Sequence, residues 1–185
     1  MTVKKITTPL TDSAVRDLRA GDAVAISGVV YQARDAAHKR LVALVEAGEE
    51  LPFELEGAVV YYMGPSPAKP SNVIGSAGPT TSGRMDAYAP LLMRDGLKGM
   101  IGKGLRTQEV KDAMREHTAV YFAATGGAGA LLAKSIVGNE VIAYPELGAE
   151  AVARLEVKDF PAIVVNDCHG GDLYVEGRAK YAKTE

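Results

Sequence analysis

The sequence predicts an α/β fold, a mixed or largely parallel sheet covered on both faces, with helices flanking it. From Gly57 onward strand signals and helix signals alternate, the pattern that stacks helices on a sheet. The stretch before Gly57 is richer in strand and carries one clear helix, which suggests a second layer of sheet. At 185 residues, 47 % hydrophobic and 24 % charged, the chain has the material for one well-buried domain over residues 1–185.

Taken in order, Val3–Pro9 reads as a short strand, and Thr11 and Asp12 are candidate caps for a brief helix through Leu18. Ala23–Gln32 is rich in Val and Ile and reads as a strand. Asp35–Ala47 places Ala37, Leu41, Leu44 and Val45 at helical spacing, and Gly48 closes it. Gly57–Met63 has the composition of a buried strand. Gly64–Pro79 holds four prolines among Ser and Gly, so it reads as loop, because proline lacks the amide donor and fixes φ. Beyond it the expected elements are a helix around Met85–Arg94, a strand at Gly99–Gly102, a helix over Gln108–Glu116 and a strand at Ala119–Ala124. A helix over Ala128–Ile136, a strand at Glu140–Tyr144 and two further runs, Ala151–Val157 and Ala162–Asn166, follow. No internal repeat is visible.

Composition excludes several functions. A net charge of −2 gives no global basic field for nucleic acid or an anionic membrane, so any anion site must be local. No apolar run approaches the roughly 20 residues of a membrane span, and no apolar core follows Lys4 and Lys5 to make a secretory signal. The one cysteine, Cys168, allows no internal disulfide and cannot hold a metal cluster alone. A reducing cytoplasm is the expected location.

Five constellations could carry chemistry. In Gly78-Pro79-Thr80-Thr81-Ser82-Gly83-Arg84-Met85-Asp86, small residues admit a ligand close to the backbone, and Thr and Ser hydroxyls stand at a helix start. A helix start with its free amides suits a carboxylate or phosphate, and Arg84 adds a two-pronged donor for one. The plain alternative is a cap by Thr81 or Ser82 with Arg84 in solvent; a capped helix start is also an anion site. In Tyr31-Gln32-Ala33-Arg34-Asp35-Ala36-Ala37-His38, Arg34 ends a strand, where α/β sheets bind ligands, and Asp35 is the expected cap of the next helix. His38 falls on the same helical face as Arg34, and an orienting role suits it better than proton transfer. Its simpler reading is a helix pair with Asp35.

Met100-Ile101-Gly102-Lys103-Gly104 sets a lysine between glycines after an apolar strand, either a point charge for a carboxylate or an ordinary turn. Thr125-Gly126-Gly127-Ala128-Gly129 lacks a Gly-Lys-Ser/Thr ending and fails G-x-G-x-x-G, so tight packing is favoured over nucleotide binding. Asn166-Asp167-Cys168-His169-Gly170-Gly171-Asp172-Leu173-Tyr174 reads as a structural turn, since neighbouring residues of an extended chain point oppositely and cannot share a metal.

Together, YQARDAAHKR, GPTTSGRMD and MIGKG resemble, over nearly the whole chain and in the same motif order, the C-terminal region of class I fumarases, which is a separate beta chain in two-subunit members. The tartrate dehydratase beta subunit is similar. The resemblance implies a swivelling β/β/α domain that closes over a 4Fe-4S cluster held by the cysteines of an alpha subunit. It implies Thr80 as the proton-transfer residue, and Arg34, Thr80, Thr81, Arg84 and Lys103 around a small dicarboxylate substrate. Asp35 and His38 would orient the site, and no metal would be bound by this chain itself. The implied enzyme is a hydro-lyase, fumarate hydratase first and L-tartrate dehydratase second. A non-catalytic dicarboxylate-binding module is the reading from another class. The sequence is compatible with a homodimer of the isolated chain and expects no nucleic-acid or membrane partner.

Overall fold

The computed structural model describes residues 2–182. In chain order the elements are β1 (Lys4–Thr7), α1 (Asp12–Arg16), β2 (Ala23–Gln32), α2 (Asp35–Ala47), β3 (Val59–Tyr61) and a 3-10 turn (Ser82–Met85). There follow α3 (Ala89–Arg94), β4 (Gly99–Gly102), α4 (Gln108–Glu116), β5 (Val120–Ala123), α5 (Gly129–Leu132), β6 (Ile136–Ala143), β7 (Val152–Asn166) and α6 (Leu173–Tyr181). The local signals set several boundaries. Thr11 caps α1 by accepting the Ala14 amide, and Gly48, at φ 68°, ends α2 in the left-handed conformation that side chains resist.

Strands β1 to β5 are parallel, each returning through a helical crossover; β1 and β3 share one edge of β2, along its start and its end respectively, and β3, β4 and β5 follow side by side. β7 then runs antiparallel, pairing with β5 through Tyr121–Ala123 and with β2 through Ala23–Gln32. The extra β2–β7 pairing closes β2, β3, β4, β5 and β7 into a ring, with β1 and β6 attached outside it. Side chains alternate across each strand, so the ring sorts them into two clusters. Val59 and Tyr61 face an inner cluster with Ile26, Ile101, Phe122 and Leu155. Val60 and Tyr62 face an outer one, covered by Leu41 of α2, Leu92 and Met93 of α3, and Val110 and Met114 of α4. Burying each such side chain is worth about 1.5–3 kcal/mol, well above an exposed ion pair, so these clusters carry the fold.

The α/β class with a mixed sheet and flanking helices is what the structure has. Several expected details differ. The second layer of sheet is the ring's own far wall, which covers the inner face; β2, from the early strand-rich portion, belongs to the same continuous sheet. The runs 151–157 and 162–166 are one strand of 15 residues, continuous through Pro161. Proline is tolerated because β7 has a single neighbour there, β2, with β6 pairing only up to Val157 and β5 only from Ile163. The helix expected over 128–136 lasts only Gly129–Leu132 plus a 3-10 turn, because Ile136 already pairs with Val157. The helix expected around 85–94 starts at Ala89.

Candidate active site

Residues that end parallel strands gather at one rim of the ring. Beyond Tyr61 and Ile101 the ends of β3 and β4 part, and the segment 79–82 enters between them. Pro79 bridges Met63 in antiparallel sense, Thr81 bridges Lys103 in parallel sense, and the Thr80 amide donates to the Tyr62 carbonyl at 2.7 Å. This segment lies at the edge of the proline-rich stretch read as loop, whose neighbours conceal the strand preference of the two threonines. The rim thus runs from Arg34 after β2, past Gly64 after β3, to Thr80 and Thr81, Lys103 after β4 and Gly126 after β5. Adjacent strands are about 4.8 Å apart, so a few spacings span a small diacid.

Ser82 pins the inserted segment to β4. Its amide donates to the Lys103 carbonyl at 2.9 Å, and its Oγ accepts the Lys103 amide at 3.1 Å. The Tyr121 hydroxyl donates to the Gly104 carbonyl at 3.0 Å, which leaves the Ser82 hydroxyl to donate to the Tyr121 oxygen at 2.9 Å. Gly104 is held from its other side as well, its amide donating to the Tyr174 hydroxyl at 3.2 Å. The close approach needs Gly102, where a Cβ would stand 2.0 Å from Ser82 Oγ. Lys103 itself is exposed, and its side chain runs beside Gly126, where a Cβ would meet its Cδ at 3.6 Å and its Nζ at 3.9 Å.

Neither Thr81 nor Ser82 caps a helix with its side chain, contrary to expectation. The turn they open is one four-residue 3-10 turn, too short for aligned peptide dipoles to make an anion site. Positive charge at the rim must therefore come from side chains. Arg84 and Lys103 are exposed, and neither is ion-paired with a described residue. Thr80 is half-buried and Thr81 exposed.

Arg34 is held differently. It occupies the N-cap position of α2 in extended conformation, and Asp35, expected to be the cap, is the first helical residue. The cap function passes to Glu150, whose Oε2 accepts the Ala36 amide at 3.2 Å while its Oε1 lies 3.2 Å from Arg34 Nη2. Asp35 Oδ1 stands 3.5 Å from the same nitrogen. His38 is fully buried; its Nδ1 bonds the Arg34 carbonyl at 2.9 Å, which also accepts the His38 amide at 2.8 Å. Burial lowers its pKa to about 4, so the ring is neutral near pH 7, with Nδ1 as donor and Nε2 unpartnered. It pairs with Arg34's backbone, where the simpler reading had Asp35. Its ring and its amide thus both tie the first turn of α2 to the Arg34 carbonyl at the end of β2.

Beneath the rim lies a buried ion pair that sequence reasoning missed. Arg106 Nε donates to Asp86 Oδ1 at 2.7 Å, and Asp86 Oδ2 accepts the Thr107 amide at 2.7 Å. The guanidinium carbon sits 5.4 Å and 4.9 Å from the ring centres of Tyr62 and Tyr121. Burial works against the charge, but Tyr62 and Asp86 outweigh it and raise the arginine's pKa. Asp86 ends the quoted GPTTSGRMD run and Arg106 follows MIGKG at one remove; their adjacency to both motifs was the available signal.

The other two constellations are structural. The glycine loop after β5 packs against the proline-rich loop, with the Ala77 amide donating to the Gly129 carbonyl at 3.0 Å. The turn after β7 is organised by Asp167, whose carboxylate accepts the amides of Ala20, His169 and Gly171. Asn166 pairs with Tyr121, so this turn and Cys168 lie toward the starts of the parallel strands, while Tyr174, the last residue of the constellation, reaches Gly104 at the rim. Burial raises the Cys168 pKa. Among the described residues no group of three or more His, Cys, Asp or Glu side chains is gathered to hold a metal.

The model of a family described as fumarase C-terminus matches residues 2–177. The anaerobic class I fumarate hydratase of Escherichia coli (strain K12) is 42 % identical over 153 residues, 82 % of this chain and 28 % of that protein. Fumarate hydratase 2 of Leishmania major is 41 % identical over 156 residues, again 28 % of its length. A protein named putative L(+)-tartrate dehydratase subunit beta, from Methanocaldococcus jannaschii, is 38 % identical over 177 residues, 92 % of this chain and 91 % of its own length. The chain therefore spans 28 % of the length of the two fumarate hydratases.

Proposed function

From the premise that the chain belongs to the fumarase C-terminus family, we propose that it is the beta subunit of an iron–sulfur hydro-lyase. Fumarate, hydrated reversibly to L-malate, is the first substrate and L-tartrate the second. The observation that carries this reading is the insertion of residues 79–82 between the ends of β3 and β4, which sets Thr81 against Lys103 and puts Arg84 just beyond. Unpaired cations on a stiff backbone beside two threonine hydroxyls suit a small diacid.

The 4Fe-4S cluster belongs to the alpha partner, where its iron would supply a Lewis acid. Matching 91 % of a relative named as a separate beta subunit favours the two-chain arrangement. This chain's own residues bind and move protons. Arg34, Arg84 and Lys103 hold the substrate carboxylates and stabilise charge that grows on the one beside the reacting carbon. Thr80 takes the proton from that carbon during dehydration and returns it during hydration. A threonine hydroxyl is a weak base, and the neighbouring cations lower its pKa toward the working range.

The test is co-expression with an alpha-type partner and assay on malate, fumarate and tartrate. Hydro-lyase activity of the pair and none from this chain alone is the expected result. Malate binding by the lone chain, unchanged by the partner and without turnover in the pair, would identify a binding module instead.

A further inference from the structure

Arg34 differs from the other rim cations in being fixed before any ligand arrives. Its side chain is 21 % exposed and its Nε is buried without a partner. The Gly64 backbone leaves room for it: a Cβ there would lie 3.2 Å from Arg34 Cδ and Nη1 and 2.9 Å from the Ala149 carbonyl. Glu150 closes the opposite flank with both carboxylate oxygens in use, one on Nη2 and the other on the Ala36 amide. Because the second bond ties Glu150 to the backbone of α2, the carboxylate cannot follow the guanidinium if it swings. It acts as a stop. The loop bearing it is itself bent by Gly148 at φ 58°, ψ −119° and by Tyr144 at φ 55°.

We propose that Glu150 is a positioning residue that holds the Arg34 guanidinium in its ligand-ready orientation, with the Gly64 backbone as the opposing wall. The role rests on the reading of Arg34 as a carboxylate binder, and Glu150 itself touches no substrate. Glu150 and Asp35 face Nη2 and the Gly64 backbone backs Nη1, so a ligand meets the guanidinium at the solvent-facing part left between them. A pre-oriented arginine loses less side-chain freedom on binding than the open Arg84 and Lys103 do.

Glu150→Gln separates positioning from capping. The glutamine oxygen can still accept the Ala36 amide, whereas the Glu150 charge is gone and Asp35, 3.5 Å from the same nitrogen but unable to bridge to the Ala36 amide, is the carboxylate that remains. In the reconstituted complex, kcat/KM should fall about tenfold with the melting temperature within about 4 °C of wild type. The decisive readout is a double-mutant cycle. In an Arg34→Lys background Glu150→Gln should change kcat/KM less than about twofold, because there is no guanidinium left to aim. Glu150→Asp, too short to reach both partners, should lose activity like the glutamine variant and serves if the latter folds poorly. Wild-type kcat/KM in Glu150→Gln or Glu150→Asp, or additive losses in the cycle, would overturn the proposal.

A second measurement does not depend on turnover. In the isolated 15N-labelled chain, the Arg34 Nε–H resonance, assigned by its loss in Arg34→Lys, should be sharp in wild type and broadened or exchanged away in Glu150→Gln. An unchanged resonance overturns the proposal. A wild-type complex without hydro-lyase activity would sink the functional reading alone, and the resonance would still decide whether Glu150 fixes Arg34.

Discussion

Two lysines flank the same strand and show what distinguishes the ends of this molecule. Lys98, just before β4, is 9 % exposed; its Nζ donates to the His117 carbonyl and meets Asp12 Oδ1, both at 2.7 Å. Lys103, just after β4, is exposed and pairs with no described carboxylate. The pattern extends to their neighbours. Around the strand starts, Arg16 pairs with Asp12 and Lys4 with Asp22, and Asp167 takes three amides. Around the strand ends, Arg84 and Lys103 stay open, and only Arg34 among the rim cations is met by carboxylates, those of Glu150 and Asp35. Charges that hold a fold together are answered within the fold. Charges left unanswered on a rigid base are available to something else.

The sharpest way to break this contrast is to create an unanswered charge where none belongs. Asp86→Ala would strand the Arg106 guanidinium, whose side chain is 0 % exposed. A loss of about 3–5 kcal/mol of stability is expected, read by urea unfolding, because a lone buried charge costs more than the pair contributed. Next is the removal of an open charge. Arg84→Ala in the reconstituted complex should lower kcat/KM by about 10²–10³-fold while leaving melting temperature and cluster content unchanged. Near-normal turnover would refute the carboxylate clamp.

Acid tests the buried support under Arg34. The folded pKa of His38 is depressed to about 4 from 6.5, so the unfolded chain binds the proton first. Its contribution to stability is complete above about pH 6.5 and is lost as pH falls toward about 4, a decline of roughly 3 kcal/mol. Denaturant titration should show that slope between about pH 6.5 and 4.5, above the range of the paired aspartates, and His38→Gln should flatten it. The smallest effects belong to the two lysines. Lys103→Met should cost about tenfold in kcat/KM with unchanged stability. Lys98→Met should cost about 1 kcal/mol of stability with unchanged activity. If the two outcomes were exchanged, the contrast between the ends would be void.

Much of the frame was legible locally. Ala23–Gln32 and Asp35–Ala47 agree with the observed β2 and α2 to the residue, because branched side chains mark the one and a left-handed glycine ends the other. The closure of the ring was not legible. It depends on β7 pairing with β2 across the length of the chain, and Pro161 disguises β7 as two pieces. At the site, Arg34, Thr80, Arg84 and Lys103 stood out because each follows an element within a small-residue context. Glu150 did not, since its partners Arg34 and Ala36 are remote in sequence and no periodicity points to it. The strand-like insertion of 79–82 was hidden by its proline-rich surroundings.

The late position of β7 also bears on how the chain is made. A ribosome delivers β2 through β5 well before Val152–Asn166 emerges, so the nascent chain passes through a stage in which β2 and β5 each present a row of unpaired amides and carbonyls. Contacts of such long sequence separation form slowly. Synthesis interrupted before β7 would leave a five-stranded parallel sheet with two sticky margins, a species prepared for aggregation or for a chaperone.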